Sequence, residues 1–207
     1  MIAVLSGDII QSGSRSTVEH WQNELKNILT ALQTKYSLLG SGAQIFRGDG
    51  FQLATDEPEH SLLMAILIRS GLQKSELKLD ARIAIGLGTY DQLRDNILES
   101  DGEAFKLSGH LLDQLKKEKL KLALSSPFNA LNNEMDVTLR LLGIVMDNWS
   151  QADAETVWLS WYEELSAKEI QAHLDISQPA VSKRKSSARL DEIQLLIKRY
   201  QYLIQHL

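Results

Sequence analysis

Ser166-Ala-Lys-Glu-Ile-Gln-Ala-His-Leu-Asp-Ile-Ser-Gln-Pro-Ala-Val-Ser-Lys-Arg-Lys185 reads as two short helices around a tight turn, the second tipped with cations. Ser166 is placed to cap the first helix, and Glu169, three residues on, to return a bond to the Ser166 amide. Ile170 and Leu174, four apart, share one face. Ile176 fills the turn. Ser177 caps a second helix whose first turn tolerates Pro179, because the amide hydrogen that proline lacks has no helical partner there. Ala180 and Val181 then face inward. Ser177, Gln178, Ser182, Lys183, Arg184 and Lys185 are left for solvent or for double-stranded DNA, where hydroxyls, amides and cations reach phosphates and base edges. The pattern predicts a helix-turn-helix whose second helix enters the major groove. Two positions depart from the common form: Gln171 stands where a small residue is usual, and Asp175 where glycine is. Asp tolerates the left-handed backbone that such a turn needs.

Charge around this stretch is local. The whole chain of 207 residues carries a net charge of -5, and from Ser150 onward seven Lys or Arg face eight Asp or Glu. Residues 182 to 189 nonetheless hold Lys183, Arg184, Lys185 and Arg189 with no acid. A positive spot of this size contacts few phosphates, so a dimer presenting two such helices is expected to bind DNA far better than one copy. Leu190 to Leu207 repeats Ile193, Leu196, Ile197, Tyr200 and Ile204 on one helical face, fit either to cover the small domain or to pair two copies.

Working back toward the start, Trp149, Trp158 and Trp161 form the expected core beside the motif. Met135 to Met146 reads as a helix packing Val137, Leu141 and Val145, and Ser126 to Asn133 as a linker. Residues 1–130 are therefore expected as one domain and residues 134–207 as a second, all-helical one. In the first, Ile2 to Leu5 is a buried strand ending at Gly7-Asp8, and Thr17 to Tyr36 a helix built on Trp21, Leu25, Ile28, Leu29 and Leu32. Gln44 to Ala54 is a strand pair with a glycine turn, His60 to Gln73 an apolar helix, and Asp80 to Gly88 a strand with Ile83, Ile85 and Leu87 alternating. A helix over Ala104 to Lys119 and a last strand over Lys121 to Ser125 complete an α+β sandwich, with its helices expected on one face of the sheet. Zero cysteines exclude disulfides, thiolate metal sites and a thiol nucleophile. No apolar run reaches about 18 residues and the start lacks a basic flank, so a cytoplasmic chain without membrane contact is expected.

Asp8 and Asp49 would converge if their strands are neighbours, giving an oxygen site suited to magnesium or manganese completed by substrate phosphates. Gly7, Gly48 and Gly50 let a phosphate approach the backbone, and Ser12, Gly13 and Ser14 lead into a helix whose first amides can hold an anion.

Gly7-Asp8-Ile9-Ile10, Phe46-Arg47-Gly48-Asp49-Gly50-Phe51-Gln52, Arg82-Ile83-Ala84-Ile85-Gly86 and Asp101-Gly102-Glu103-Ala104-Phe105, in this order, resemble the SatD family of bacterial proteins over nearly the whole chain. The first two-thirds more distantly resembles the catalytic domain of class III nucleotidyl cyclases and, at Arg47 to Phe51, the GGDEF signature. The resemblance implies a ferredoxin-like, nucleotidyl-cyclase-like domain that forms a homodimer. It further implies metal binding by Asp8 and Asp49, and a nucleotide's phosphates held by Ile9, Ser12, Gly13, Ser14 and Arg47. Where those cyclases carry Asn and Arg four apart to stabilise the transition state, this chain offers Lys106 and His110, and Gly50 replaces the second acid of GGDEF. A mostly neutral imidazole is a poor substitute for a guanidinium, so binding is expected to outlast turnover, and no catalytic residue is assigned. The resulting expectation is a DNA-binding transcriptional regulator with a sheet domain that senses a metal-nucleotide ligand. The alternative is a magnesium-dependent nucleotidyl or phosphoryl-transfer enzyme carrying a DNA-targeting module.

Overall fold

Alternation along each strand decides what covers each side of the sheet. The computed structural model describes residues 1–10, 18–46, 48–77 and 79–207. Five strands, β1 (Ile2–Ile10), β2 (Gln44–Phe46), β3 (Gly50–Thr55), β4 (Asp80–Gly88) and β5 (Leu122–Ser125), form one mixed sheet in the order β2-β3-β1-β4-β5. All neighbours are antiparallel except β4 and β5. Among the described residues there are eight α-helices: α1 (Val18–Lys35), α2 (Ser61–Gln73), α3 (Glu103–Glu118), α4 (Asn129–Asp147), α5 (Gln151–Trp161), α6 (Ala167–Leu174), α7 (Gln178–Ser187) and α8 (Leu190–Gln205). The protein is α+β, and no helix among the described residues is long and apolar enough to cross a membrane.

Ala3 and Leu5 of β1, Leu53 of β3 and Ile83, Ile85 and Leu87 of β4 point to one side, where α1 and α2 bury Trp21, Leu25, Leu32, Met64 and Leu67 against them. Ile2, Val4 and Ala84 point to the other side and meet Ala104, Phe105, Leu112 and Leu115 of α3. Both faces are therefore covered, against the expectation of helices on one face only. Gly86 makes this possible: a Cβ there would fall 2.2 Å from the Ala104 carbonyl oxygen and 2.6 Å from the Ser108 amide. Because those obstacles are helix backbone, Gly86→Ala must push α3 off the sheet. The expected cost is roughly 1–3 kcal/mol, read as a lower thermal midpoint. An unchanged midpoint would contradict this packing of α3.

The expected break between domains is absent from the core. The stretch expected as a linker already contains the first turn of α4, and Asn132 folds it back on itself: its amide nitrogen donates to the Ser126 carbonyl at 2.7 Å, and its oxygen accepts from the Ser126 amide at 2.9 Å. Leu131, Met135, Leu139, Leu142 and Met146 of α4, with Leu190, Ile193, Ile197, Tyr200 and Ile204 of α8, join the same cluster as the sheet. The apolar stripe of α8 thus covers its own chain. Its Tyr200 hydroxyl lies 2.7 Å from Ser61 Oγ on α2, and burial pushes that phenol above its ordinary pKa. Val137 and Leu141, expected to pack, are instead exposed, because α4 carries two apolar stripes and the core takes the other. A satellite cluster of Leu159, Ile170 and Val181 holds α5, α6 and α7 together.

An ionic joint ties α2, β4 and α4. Arg69 of α2 is fully buried and donates through Nε and Nη2 to both oxygens of Asp80, at 2.8 and 2.7 Å, and through Nη2 to Asp147 at the end of α4, at 2.6 Å. Lys121 bridges the same two acids at 3.0 and 3.1 Å.

Candidate functional site

Ser166 accepts from the Glu169 amide while Glu169 accepts from the Ser166 amide at 2.8 Å and from its hydroxyl at 2.6 Å, closing a capping box at the start of α6. The Ser166 hydroxyl and amide hold the Glu169 carboxyl below its ordinary pKa. Asp175 ends α6 with φ 50° and ψ 47°, the left-handed geometry that turns the chain. Ser177 then accepts from the Ala180 amide at 3.4 Å and begins α7, with Pro179 in its first turn. Ile170 and Val181 face each other in the satellite core, flanked by Leu174 and Ile176.

That packing fixes the outward face of α7. Ser177, Gln178, Ser182 and Lys183 are exposed, whereas Arg184 and Lys185 are half-buried. Arg184 is not free, as the sequence had implied: Nη1 donates to Glu155 of α5 at 3.1 Å. Its first task is to anchor α7 on α5. The far end of α7 is held by Trp149, whose indole Nε1 donates to the Ala188 carbonyl at 3.1 Å. Trp158 is buried in the main core and meets Tyr162 in a tilted pair with ring centroids 4.4 Å apart, and Trp161 is partly buried against the same core. Both anchors, Arg184 and Trp149, hold the C-terminal end of α7, while Val181 packs its first half into the satellite core and Ser182 and Lys183 project to solvent.

On the sheet the candidate residues separate. β1 runs on to Ile10, so Asp8 lies inside the strand, opposite Gly50 of β3 and Arg82 of β4, not at an open strand end. Asp8 and Asp49 are next to each other in space, since the Ile9 amide donates to the Asp49 carbonyl at 3.0 Å. That bond occupies the amide of Ile9, a residue that the resemblance places among those holding the phosphates, and the Ile9 side chain is in the core. The Asp8 carboxylate is nearly buried and already paired, with Arg82 Nη1 at 3.2 and 3.3 Å and Lys116 Nζ at 3.2 Å. Next to it on the same face, Gln52 donates to Ser6 Oγ at 2.9 Å, and Ser6 meets Ser108 Oγ at 3.0 Å.

Lys106 and His110 do not join this cluster. Lys106 leans toward Asp91 and Asp101 at 3.6 and 3.4 Å, and His110 is exposed on the outer side of α3. Lys116, ten residues and about 15 Å further along the helix, is the cation that reaches Asp8. Strand alternation could have found Arg82, because Asp8 and Arg82 project from adjacent strands on one face. Lys116 carries no such signal. Ser12, Gly13, Ser14 and Arg47 lie outside the described residues.

Among the described residues no three of His, Asp and Glu gather in a geometry that would hold a metal ion. Two cations against the one buried carboxylate also oppose a divalent ion there, since its charge would have to displace theirs. Magnesium at Asp8 would require Arg82 and Lys116 to release the carboxylate first. No protein-family model matches the chain, and no curated protein matches it.

Proposed function

We propose that the protein is a cytoplasmic, homodimeric DNA-binding transcriptional regulator, of the SatD type, in which α6 and α7 form a helix-turn-helix with α7 as the recognition helix. One observation carries this reading: α7 buries Val181 against Ile170 and presents Gln178, Ser182 and Lys183 to solvent from a helix that contains no acid. Those are donors of the kind that reach phosphates and base edges. The sheet domain is proposed as ferredoxin-like and nucleotidyl-cyclase-like. In support of this, β1 lies between β3 and β4 and the crossovers through α1 and α2 interleave, with β5 added beside β4. Binding of duplex DNA should fall steeply with salt, by a slope of about -2 to -3 per protomer in log K against log salt, matching two or three phosphate contacts. An affinity indifferent to salt would reject α7 as a nucleic-acid surface.

The adjacency of Asp8 and Asp49 favours a second reading, in which the sheet domain binds magnesium or manganese with a nucleotide and carries out phosphoryl or nucleotidyl transfer. It demands that Asp8 release Arg82 and Lys116. A thermal-shift titration with millimolar magnesium and each nucleoside triphosphate tests for the ligand, and mass analysis of the same mixtures for product separates a sensing regulator from a transferase. A sheet domain that keeps Asp8 in its ion pairs and serves only as a scaffold expects an unchanged midpoint. A rise of several degrees that disappears in both Asp8→Asn and Asp49→Asn would establish the metal-nucleotide site instead.

A further inference from the structure

The five large apolar side chains more than half exposed among the described residues all lie on two helices: Val137, Leu141 and Ile144 on α4, and Leu195 and Tyr202 on α8, from 53% exposed for Tyr202 to 67% for Leu195. They do not scatter. Val137, Leu141 and Ile144 are four and three residues apart, and Leu195 and Tyr202 one heptad apart, the spacings that keep a stripe on one side of a helix paired with another. Between the two helices runs an open groove of about 360 Å³ lined by Leu141, Leu142, Val145, Ile193 and Leu196, with Arg189 and Glu192 on its wall. Glu134 of α4 and Arg199 of α8 bridge the helices at 2.9 Å.

We propose that a second copy of this chain covers this face, pairing α4 and α8 about a twofold axis. Two features favour a like partner. Ridge and groove share one chemistry, so an isologous contact can set Ile144 and Leu195 of one copy against the groove of the other. The charged residues are also self-complementary: Arg189 and Glu192, one turn apart, exchange partners across a twofold axis, whereas a partner of single charge would leave one of them opposed. The interface adjoins the recognition module, because Arg189 joins the end of α7 to the start of α8. That two copies pair and present two α7 helices rests on the proposed function; the choice of the α4 and α8 face rests on its exposed apolar side chains alone.

Sedimentation and light scattering of the full chain without DNA test this directly. The expected result is a dimer at micromolar concentration, converted to monomer by Leu141→Arg and by Leu195→Arg, with far-ultraviolet dichroism retained because both side chains face solvent in one copy, and with a midpoint that no longer rises with protein concentration. Arg189→Glu should weaken dimerisation at least tenfold, and the added Glu192→Arg should restore it. A wild-type monomer at all concentrations, or a dimer that survives both leucine variants, overturns the proposal. A dimer that forms as described yet binds no duplex leaves the interface standing and removes the regulator reading.

Discussion

Lys183→Glu is expected to lower affinity for duplex DNA roughly 100-fold near physiological salt, about 1.4 kcal/mol in each of two recognition helices, with the fold unchanged. The expectation follows from where α7 places its cations. Lys183 is exposed and stands on the helix face opposite Val181, so its reversal removes a phosphate contact and adds repulsion without disturbing the satellite core. Arg184 is a poorer probe. Its pairing with Glu155 means that reversing it also sets two acids together where α5 meets α7, and lost binding there could come from a displaced helix. Gel shift or anisotropy with Lys183→Glu, beside Lys168→Glu on α6 as a charge-matched comparison, separates a site effect from a general loss of positive charge. Equal losses in the two variants would count against α7 as the reading helix.

Arg69→Met is expected to be the most destabilising single change outside the apolar core. Arg69 is fully buried, and its removal leaves Asp80 and Asp147 facing each other with only Lys121 between them. Breaking one side of a buried pair costs about 3–5 kcal/mol. Because Lys121 and the Ala81 amide still serve Asp80, the low end applies: about 3 kcal/mol, or roughly 6–12 °C in thermal midpoint for a chain of this size. The pH dependence has a definite sign. Burial alone would raise the Asp80 carboxyl, but hydrogen bonds and charge from Arg69, with help from Lys121, hold it below its ordinary 3.8. A pKa lower in the folded than in the unfolded chain contributes stability that is present in full above about pH 4 and is lost as the pH falls through the folded value. The gap between wild type and Arg69→Met should therefore be widest near neutrality and narrow below pH 4. Adding Asp80→Asn to Arg69→Met should cost less than the two single changes summed, the mark of direct coupling. Additive losses would mean that the pair does not act as one unit.

What was legible in the sequence was local. The Ser166 to Glu169 capping box, the left-handed Asp175, the bounds of β4 and the buried stripe of α1 each depend on residues within one or two turns, so spacing alone carries them. The misreadings came where two local solutions were equally good. In α4, Val137 with Leu141 and Met135 with Leu139 and Leu142 both make helical stripes, and only the position of the sheet decides which is buried. Coverage of the second sheet face by α3 depends on Gly86 meeting helix backbone across 18 residues of chain, which no periodicity reports. At the candidate sites the limit was the same. The outward face of α7 follows from its own caps and apolar residues, but Glu155 reaches Arg184 from another helix, and Lys116 reaches Asp8 from the helix packed on that face of the sheet. Charged pairs that distant in sequence have no spacing to read.

Selection of tight-binding sequences from a pool of random duplexes by the full-length protein tests the central claim most directly. The account predicts an enriched inverted repeat whose half-sites lie a whole number of helical turns apart, and its loss with Lys183→Glu. A pool that stays random, or an enriched sequence that Lys183→Glu recovers equally well, would contradict it.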